Sequence, residues 1–292
     1  METLNKLLTI DLNYILIGMI VVFYSFEQIL NTQFKYNRRP QHLLHNIMFQ
    51  VVFFACNFFY AAVIVFSIEW LNKHQIGLFY FIQIPVWIKL ILGVAIIDMV
   101  TYWFHRAAHK VPLIWRFHRV HHSDTSMDAS TSFRTHPIEV LLWFGTSNIV
   151  ASAIFGLDLR TLGLYFLIST PFFFVEHANL RFPKWLDQTF GLVFTTPNLH
   201  KIHHEQDQNF TDSNFADIFI LWDRLFGTYK YKSAEDIKFG LKEFDEDKKQ
   251  TFWYLITSPF INVNRIGPAE LAAMEKQEEE HQKSIAIREP GM

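Results

Sequence analysis

The sequence predicts an all-α fold, in which multi-span membrane helices carry a helical cytosolic cap with a histidine-rich site. Three observations support this fold class. Half of the 292 residues are hydrophobic and 31 of them are Phe, a composition that indicates helices in contact with lipid. The mean hydropathy is only +0.12, so a polar part must accompany the apolar one. Eight of the 14 histidines form three short motifs beyond the ends of apolar runs.

The charge and the cysteine content exclude several kinds of protein. The formal net charge is −2, so there is no basic excess to bind a nucleic-acid partner. Cys56 is the only cysteine. This excludes an intrachain disulfide framework and a Cys-ligated iron–sulfur or structural zinc site within the chain.

Two apolar runs near the N-terminus are predicted to cross the membrane. Leu12–Leu30 is close to the roughly 20 residues that a span needs, and no signal-peptide cleavage site follows it. The next loop holds Lys35, Arg38 and Arg39 without an acidic residue, so the positive-inside rule places this loop in the cytoplasm. Met48–Trp70 should then return the chain to the outer face.

A third run, Leu78–Phe104, is longer than one straight crossing and contains Pro85, so we expect a kinked helix or two pieces. It should deliver His105 to the cytoplasmic face. The residues that follow are basic on balance, which agrees with this location. These basic residues are Arg106, Lys110, Arg116, Arg119 and Arg134.

Two shorter apolar segments, Glu139–Phe155 and Leu162–Phe174, are predicted to form a hairpin. A pair of crossings and a re-entrant pair both fit their lengths. Either arrangement returns the chain to the side it left. The polar sequence from Glu176 onward is therefore expected to be cytoplasmic, as are all the histidine motifs.

The motifs HRAAH, HRVHH and HKIHH are the strongest chemical signal in the sequence. An HxxHH pattern should occur about 0.03 times by chance in a chain of this histidine content, and it occurs twice. Residues at i, i+3 and i+4 share one face of a helix, so each HxxHH is expected to aim three imidazoles at one point. Eight clustered histidines exceed the needs of one ion, which predicts a two-metal site. The motif histidines are His105, His109, His118, His121, His122, His200, His203 and His204.

The ligand type leaves the metal open, because neutral imidazole suits Zn, Cu, Fe and Ni. Two iron ions beside lipid would suit O2 activation against an unactivated C–H bond. A zinc hydrolase is the competitor; no HExxH motif is present, but Glu205 could serve as its base. Asp98 lies seven residues before His105, close to two helical turns. We expect its carboxylate to accept a ring N–H from a ligand histidine.

These motifs resemble the fatty acid hydroxylase superfamily, the sterol desaturase-like membrane enzymes. The resemblance covers roughly 91–229 and includes the motifs WDRLFGTY at 222–229 and FRTHPIE at 133–139. It implies a multi-span protein whose cytosolic cap holds two metal ions, most simply iron with zinc as the alternative, and uses O2 as cosubstrate. We accordingly divide the chain into membrane spans at 1–90, a catalytic region at 91–232 and a polar cytoplasmic region at 233–292.

The resemblance also implies further site residues. The eight motif histidines would be ligands, and His177 matches a position that would make it a ninth. Some members have another histidine four residues earlier, where this chain has Phe173. Asp98, His136 and Asn179 are expected as additional ligands or as residues that orient the ligands.

The reaction implied is hydroxylation or desaturation of a sterol, fatty acyl or ether lipid in the membrane. Electrons must come from an external reductase, cytochrome or ferredoxin, because the sequence has no GxGxxG and no CxxCH motif. The basic loop could dock such a donor, although the positive-inside rule already explains it. A membrane zinc hydrolase and a non-enzymatic metal-binding or transport protein are the alternatives.

Overall fold

The computed structural model describes residues 12–30, 32–36 and 39–288. Over these ranges the chain is helical, without an extended strand, and the all-α prediction is confirmed. The helices are α1 (Leu12–Ile29), α2 (Arg39–Lys73), α3 (Val86–Lys110), α4 (Pro112–His122), α5 (Pro137–Val140), α6 (Thr146–Phe155), α7 (Leu159–His177), α8 (Lys184–Gln188), α9 (Pro197–His203), α10 (Gln208–Thr211), α11 (Leu221–Phe226), α12 (Phe252–Thr257) and α13 (Pro268–Arg288). One π-helical turn, Leu141–Gly145, joins α5 to α6.

Four helical segments are long and apolar enough to cross a membrane: Pro40–Tyr80, Val86–Lys110, Pro137–Phe155 and Leu159–His177. These segments, together with the family described below, support an integral membrane protein. The apolar part of α1, Tyr14–Ile29, is shorter than these four. Both limbs of the predicted hairpin extend further than expected, to 19 residues each.

Pro85 divides the third apolar run, as predicted. Leu78–Tyr80 forms a separate 3-10 turn, and α3 begins directly after Pro85, whose backbone is extended. Proline fixes φ and cannot donate a backbone hydrogen bond, so it is well suited to the position just before a helix. The result is a continuous α3 that runs from Val86 through His105 and His109.

Helix α3 lies at the centre of the fold, between α6 and α7. Its apolar face contributes Ile97 and Val94 to a buried cluster with Ile68 and Leu162. At Gly93 a Cβ atom would lie only 2.4 Å from the Thr161 methyl group, so this glycine allows α3 and α7 to approach closely. This packing fixes the direction in which α3 delivers its histidines.

Local sequence signals set the start of the two helices that carry the HxxHH motifs. Pro112 is the first residue of α4, and Pro197 is the first residue of α9, a position at which proline costs no hydrogen bond. Thr196 caps α9 by accepting a hydrogen bond from the Leu199 amide. Both helices are short, and both end at their histidines.

Candidate metal centre

The nine histidines predicted as ligands converge in two buried groups. The first group is His105, His109, His118, His122 and His203, and the second is His121, His177, His200 and His204. Within each group, one ring nitrogen from every residue lies within 4.8 Å of the others. None of the nine residues is more than 6% exposed. Four helices therefore bring together side chains that lie up to 99 residues apart in sequence.

Each HxxHH motif contributes to both groups, which corrects the expectation that each would aim three rings at one point. His118 and His122 join the first group, whereas His121 joins the second. The physical reason is helical geometry: residues i+3 and i+4 diverge by about 100° around the axis. In the motif of α9 the assignment is reversed. His203 joins the first group, whereas His200 and His204 join the second. Each motif helix thus supplies histidines to both groups.

The Nε2 atoms of the rings point inward and lie close together. In the first group, the His118 Nε2 atom is 3.0 Å from the Nε2 atoms of both His109 and His122. In the second group, the His177 Nε2 atom is 3.1 Å from the Nε2 atoms of both His121 and His200.

Main-chain carbonyls orient three of the rings from outside. The Nδ1 atoms of His105, His203 and His177 donate to the carbonyl oxygens of Phe215, Ser213 and Phe173, each at 2.6 Å. A carbonyl oxygen can only accept a hydrogen bond, so each of these Nδ1 atoms carries the proton. The inward Nε2 atom of a neutral ring then has a free lone pair.

Three carboxylates, which sequence reasoning did not predict, flank other rings. Glu139 accepts a hydrogen bond from the His118 Nδ1 atom at 2.6 Å, and Asp212 accepts one from the His109 Nδ1 atom at 3.2 Å. Glu176 lies 3.7 Å from the His200 Nδ1 atom. Glu139 and Glu176 could have been predicted from the sequence, because each is an acidic residue in or beside an apolar segment close to the histidines.

The arrangement of donors fits bound metal ions. His109 and His118 both donate from Nδ1, so two Nε2 lone pairs face each other at 3.0 Å, which is repulsive unless a cation lies between them. The Nε2 atoms of His105, His203 and His204 are buried without a hydrogen-bond partner. Buried polar atoms of this kind are costly when unpaired, and a metal ion would satisfy all of them.

Electrostatics keeps these rings in the form that binds metals. Burial, together with neighbouring histidines, lowers the pKa of His203 to about 3. Burial, followed by the neighbouring rings, also holds the pKa of His121, His122 and His204 well below the usual value. These four imidazoles are therefore neutral at physiological pH, as metal coordination requires.

Asp98 does not contact a histidine, so this part of the prediction was wrong. Its carboxylate accepts hydrogen bonds from the amides of Ile218 and Phe219, at 3.1 and 3.0 Å, and from the Trp222 indole at 2.9 Å. Two helical turns separate Asp98 from His105 by about 10 Å along the axis, which is too far for contact. Asp98 instead fixes the segment that leads into α11.

His136 and Asn179 also lie outside both groups. The His136 Nδ1 atom accepts a hydrogen bond from the Ile138 amide at 3.2 Å and caps α5. Asn179 exchanges two hydrogen bonds with the main chain of Phe34, at 2.9 and 2.8 Å. Their roles are to start a helix and to hold the segment at 32–36, rather than to orient a ligand.

Glu205 lies outside both histidine groups, and two of the basic residues that follow His105 are buried. The Glu205 carboxylate forms an ion pair with Lys232 at 2.7 Å and is not part of either histidine group. Arg134 and Arg119 are at most 3% exposed. Arg134 donates to the Val120 carbonyl at 3.1 Å, at the end of α4. These two arginines hold the histidine helix in place and offer no surface for a partner.

An apolar cavity of about 380 Å³ adjoins the second group. Phe173 lines this cavity, and its ring lies 5.0 Å from the His177 ring and stacks on His121 at 6.5 Å, measured between centroids. Phe173 is therefore an apolar side chain that contacts both the cavity and the second group. The cavity falls within the usual size range of ligand pockets.

Comparison with known proteins agrees with this geometry. Residues 90–228 match the model of the fatty acid hydroxylase family, and this stretch contains all nine clustered histidines. This stretch of the chain therefore carries a fatty acid hydroxylase domain. No solved structure gives a significant match.

Several curated relatives match about half of the chain. An alkylglycerol monooxygenase of Danio rerio is 32% identical over 56% of this chain and 35% of its own length. A very-long-chain aldehyde decarbonylase of Oryza sativa is 34% identical over 48% of the chain and 52% of its own length. An ornithine lipid hydroxylase of Rhizobium tropici is 28% identical over 50% of the chain and 43% of its own length. The chain thus spans about a third to a half of these relatives.

Proposed function

We propose that this protein is a membrane-bound, O2-dependent lipid hydroxylase or desaturase with a histidine-ligated di-iron centre. One observation carries the proposal: nine buried histidines form two groups whose inward Nε2 atoms either face one another or have no hydrogen-bond partner. The relatives support the reaction class, since they bear the names of a monooxygenase and a lipid hydroxylase.

The proposed ligands are the five histidines of the first group for one ion and the four of the second for the other. Five ring nitrogens exceed the four ligands of a structural zinc site. The size of the first group supports iron over zinc.

Iron in these positions would supply O2 activation and two-electron chemistry. The protein contributes a dry, fixed environment. Burial excludes water from the rings, and Glu139 and Asp212 hold the protons on the outer nitrogens of His118 and His109. Phe173 presents an apolar surface between the second group and the cavity. A hydrocarbon chain in that cavity would lie against this surface, which suits reaction at an unactivated carbon.

The hydrolase alternative has less support, because Glu205 is engaged by Lys232 and no HExxH motif is present. A transport role would require polar residues distributed along the spans. The clustered histidines instead occupy one buried place at the ends of α3 and α7 and on α4 and α9. That arrangement is a site rather than a conduit.

We further propose that the histidine site faces the cytoplasm and that a separate reductase, cytochrome or ferredoxin supplies the electrons. The basic loop after α1 supports the orientation through the positive-inside rule. The lack of a dinucleotide-binding or haem-binding motif supports an external donor.

The reaction can be tested by incorporating labelled oxygen. Lipid extracts of cells that express the wild type, His121→Ala or His74→Ala would be compared by mass spectrometry under ¹⁸O2, with a donor system coexpressed. His74 is exposed and lies outside both groups, so His74→Ala is the matched control. We expect a labelled or newly unsaturated lipid with the wild type and the control and none with His121→Ala. Identical extracts from all three would refute the proposed activity.

A further inference from the structure

Asp217 and Tyr165 are neighbouring polar residues in the lining of the cavity beside the second group. Asp217 is the only acidic or basic residue among those that line the cavity in the described part of the chain. Tyr165 lines it from α7 and is 1% exposed. The lining is otherwise mainly apolar, as at Phe133, Phe166 and Phe174. A polar pair in such surroundings calls for a polar group on the ligand.

The Tyr165 hydroxyl is buried beside Asp217 and Thr101 and makes no hydrogen bond of good geometry. The side-chain nitrogen of Gln50, which lines the same cavity, is also buried without a partner. Native proteins seldom leave such groups unpaired, because an unmade buried hydrogen bond is costly. A ligand with a hydrogen-bonding group would remove this cost.

The surroundings of Asp217 determine the charge that this ligand group can carry. The Asp217 carboxyl forms no ion pair with a basic side chain of the described residues. Burial, and then the neighbouring carboxyls of Asp98 and Asp223, raise the pKa of Asp217 to about 8. At pH 7 this side chain is therefore mostly a neutral acid, which both donates and accepts hydrogen bonds. Further acids nearby disfavour a carboxylate or phosphate.

We propose that Asp217 and Tyr165 bind a neutral hydroxyl group on the lipid in the cavity, so that the ligand is a long-chain lipid alcohol. Tyr165 and Phe173 are eight residues apart on α7, about 12 Å along the helix axis. The hydroxyl is thus held away from the second histidine group, and an alkyl part of the chain lies against Phe173. The inference that the bound alcohol is the substrate rests on the proposed function. The inference that the cavity binds the alcohol does not.

Equilibrium binding of tritiated 1-hexadecanol to the purified protein in detergent tests this proposal. Competition at pH 7 would compare unlabelled hexadecanol, palmitate and hexadecylamine, which differ only in the polar end. We expect hexadecanol to bind at least about tenfold more tightly than palmitate, since the acid must lose its charge or meet buried carboxyls. Tighter binding of palmitate or of hexadecylamine would overturn the choice of a neutral hydroxyl.

Two substitutions at Asp217 separate hydrogen bonding from charge. Asp217→Asn keeps a neutral donor and acceptor, so hexadecanol affinity should stay within about threefold of wild type. Asp217→Leu and Tyr165→Phe should each weaken the binding of hexadecanol by about tenfold. Ser169 also lines the cavity, and Ser169→Ala should leave this affinity unchanged. Unchanged affinity in Asp217→Leu would overturn the proposal.

Each variant would first be checked for wild-type elution on gel filtration and wild-type metal content. The two proposals fail separately in this design. Binding of alcohol with neither a labelled nor a newly unsaturated lipid would refute the proposed reaction alone. Incorporation without any preference for alcohol would refute the assignment of Asp217 and Tyr165 alone.

Discussion

The hydrogen bond between Glu139 and His118 offers a quantitative test of the first histidine group. The Nδ1 and Oε1 atoms are 2.6 Å apart, and the two side chains are 2% and 3% exposed. Glu139→Ala would leave a buried N–H without an acceptor, at a cost of about 1–3 kcal/mol. Loss of such outer partners typically weakens metal binding by about 10–100-fold. We expect this weakening at one of the two ions only.

The assay is anaerobic chelator competition on purified protein reloaded with Fe²⁺, with metal per chain measured at each chelator concentration. Glu139→Gln retains an acceptor oxygen, so its affinity should lie between those of wild type and Glu139→Ala. Glu205→Ala is the matched control, because Glu205 follows His204 in sequence but pairs with Lys232. The reasoning is refuted if Glu139→Ala binds both ions as wild type does, or if Glu205→Ala loses metal equally.

Three further predictions concern stability. Asp98→Ala removes the acceptor of the buried Ile218 amide, at about 1–3 kcal/mol, and of two half-buried donors, so the thermal midpoint in detergent should fall by several degrees; an unchanged midpoint would contradict the role of Asp98. Arg134→Lys cannot reproduce the bonds to Val120, Ser123 and Gln250, and its midpoint should fall while that of the exposed Lys110→Ala does not. Chelation of the metal should lower the midpoint of the wild type, because a ligand that binds only the folded state stabilises it; the same midpoint with and without metal would argue against a bound ion.

The sequence predicted most of what depends on local periodicity. The apolar runs, the break at Pro85 and the convergence of nine histidines follow from residue spacing, hydropathy and the family resemblance. The positions of helix starts at Pro112 and Pro197 have equally local causes. These features do not depend on knowing which segments of the chain meet.

The contacts that sequence reasoning missed join distant segments. The Asp212 carboxylate reaches His109 across 103 residues, and Asp98 reaches Ile218 across 120. Spacing placed Asp98 on the same helix face as His105 but gave no information about the loop that passes beside it. Likewise, the division of each HxxHH motif between two groups depends on where the other helices lie. Arg134 looked like an ordinary loop cation, yet it is fully buried.

Metal analysis of purified protein is the sharpest test of the di-iron assignment. We predict about two irons per chain in the wild type, with oxygen consumed after chemical reduction. His203→Ala and His121→Ala should each weaken the binding of a different ion, because the two histidines belong to different groups. His74→Ala should weaken the binding of neither ion. A single zinc per chain that does not react with O2 would contradict the assignment.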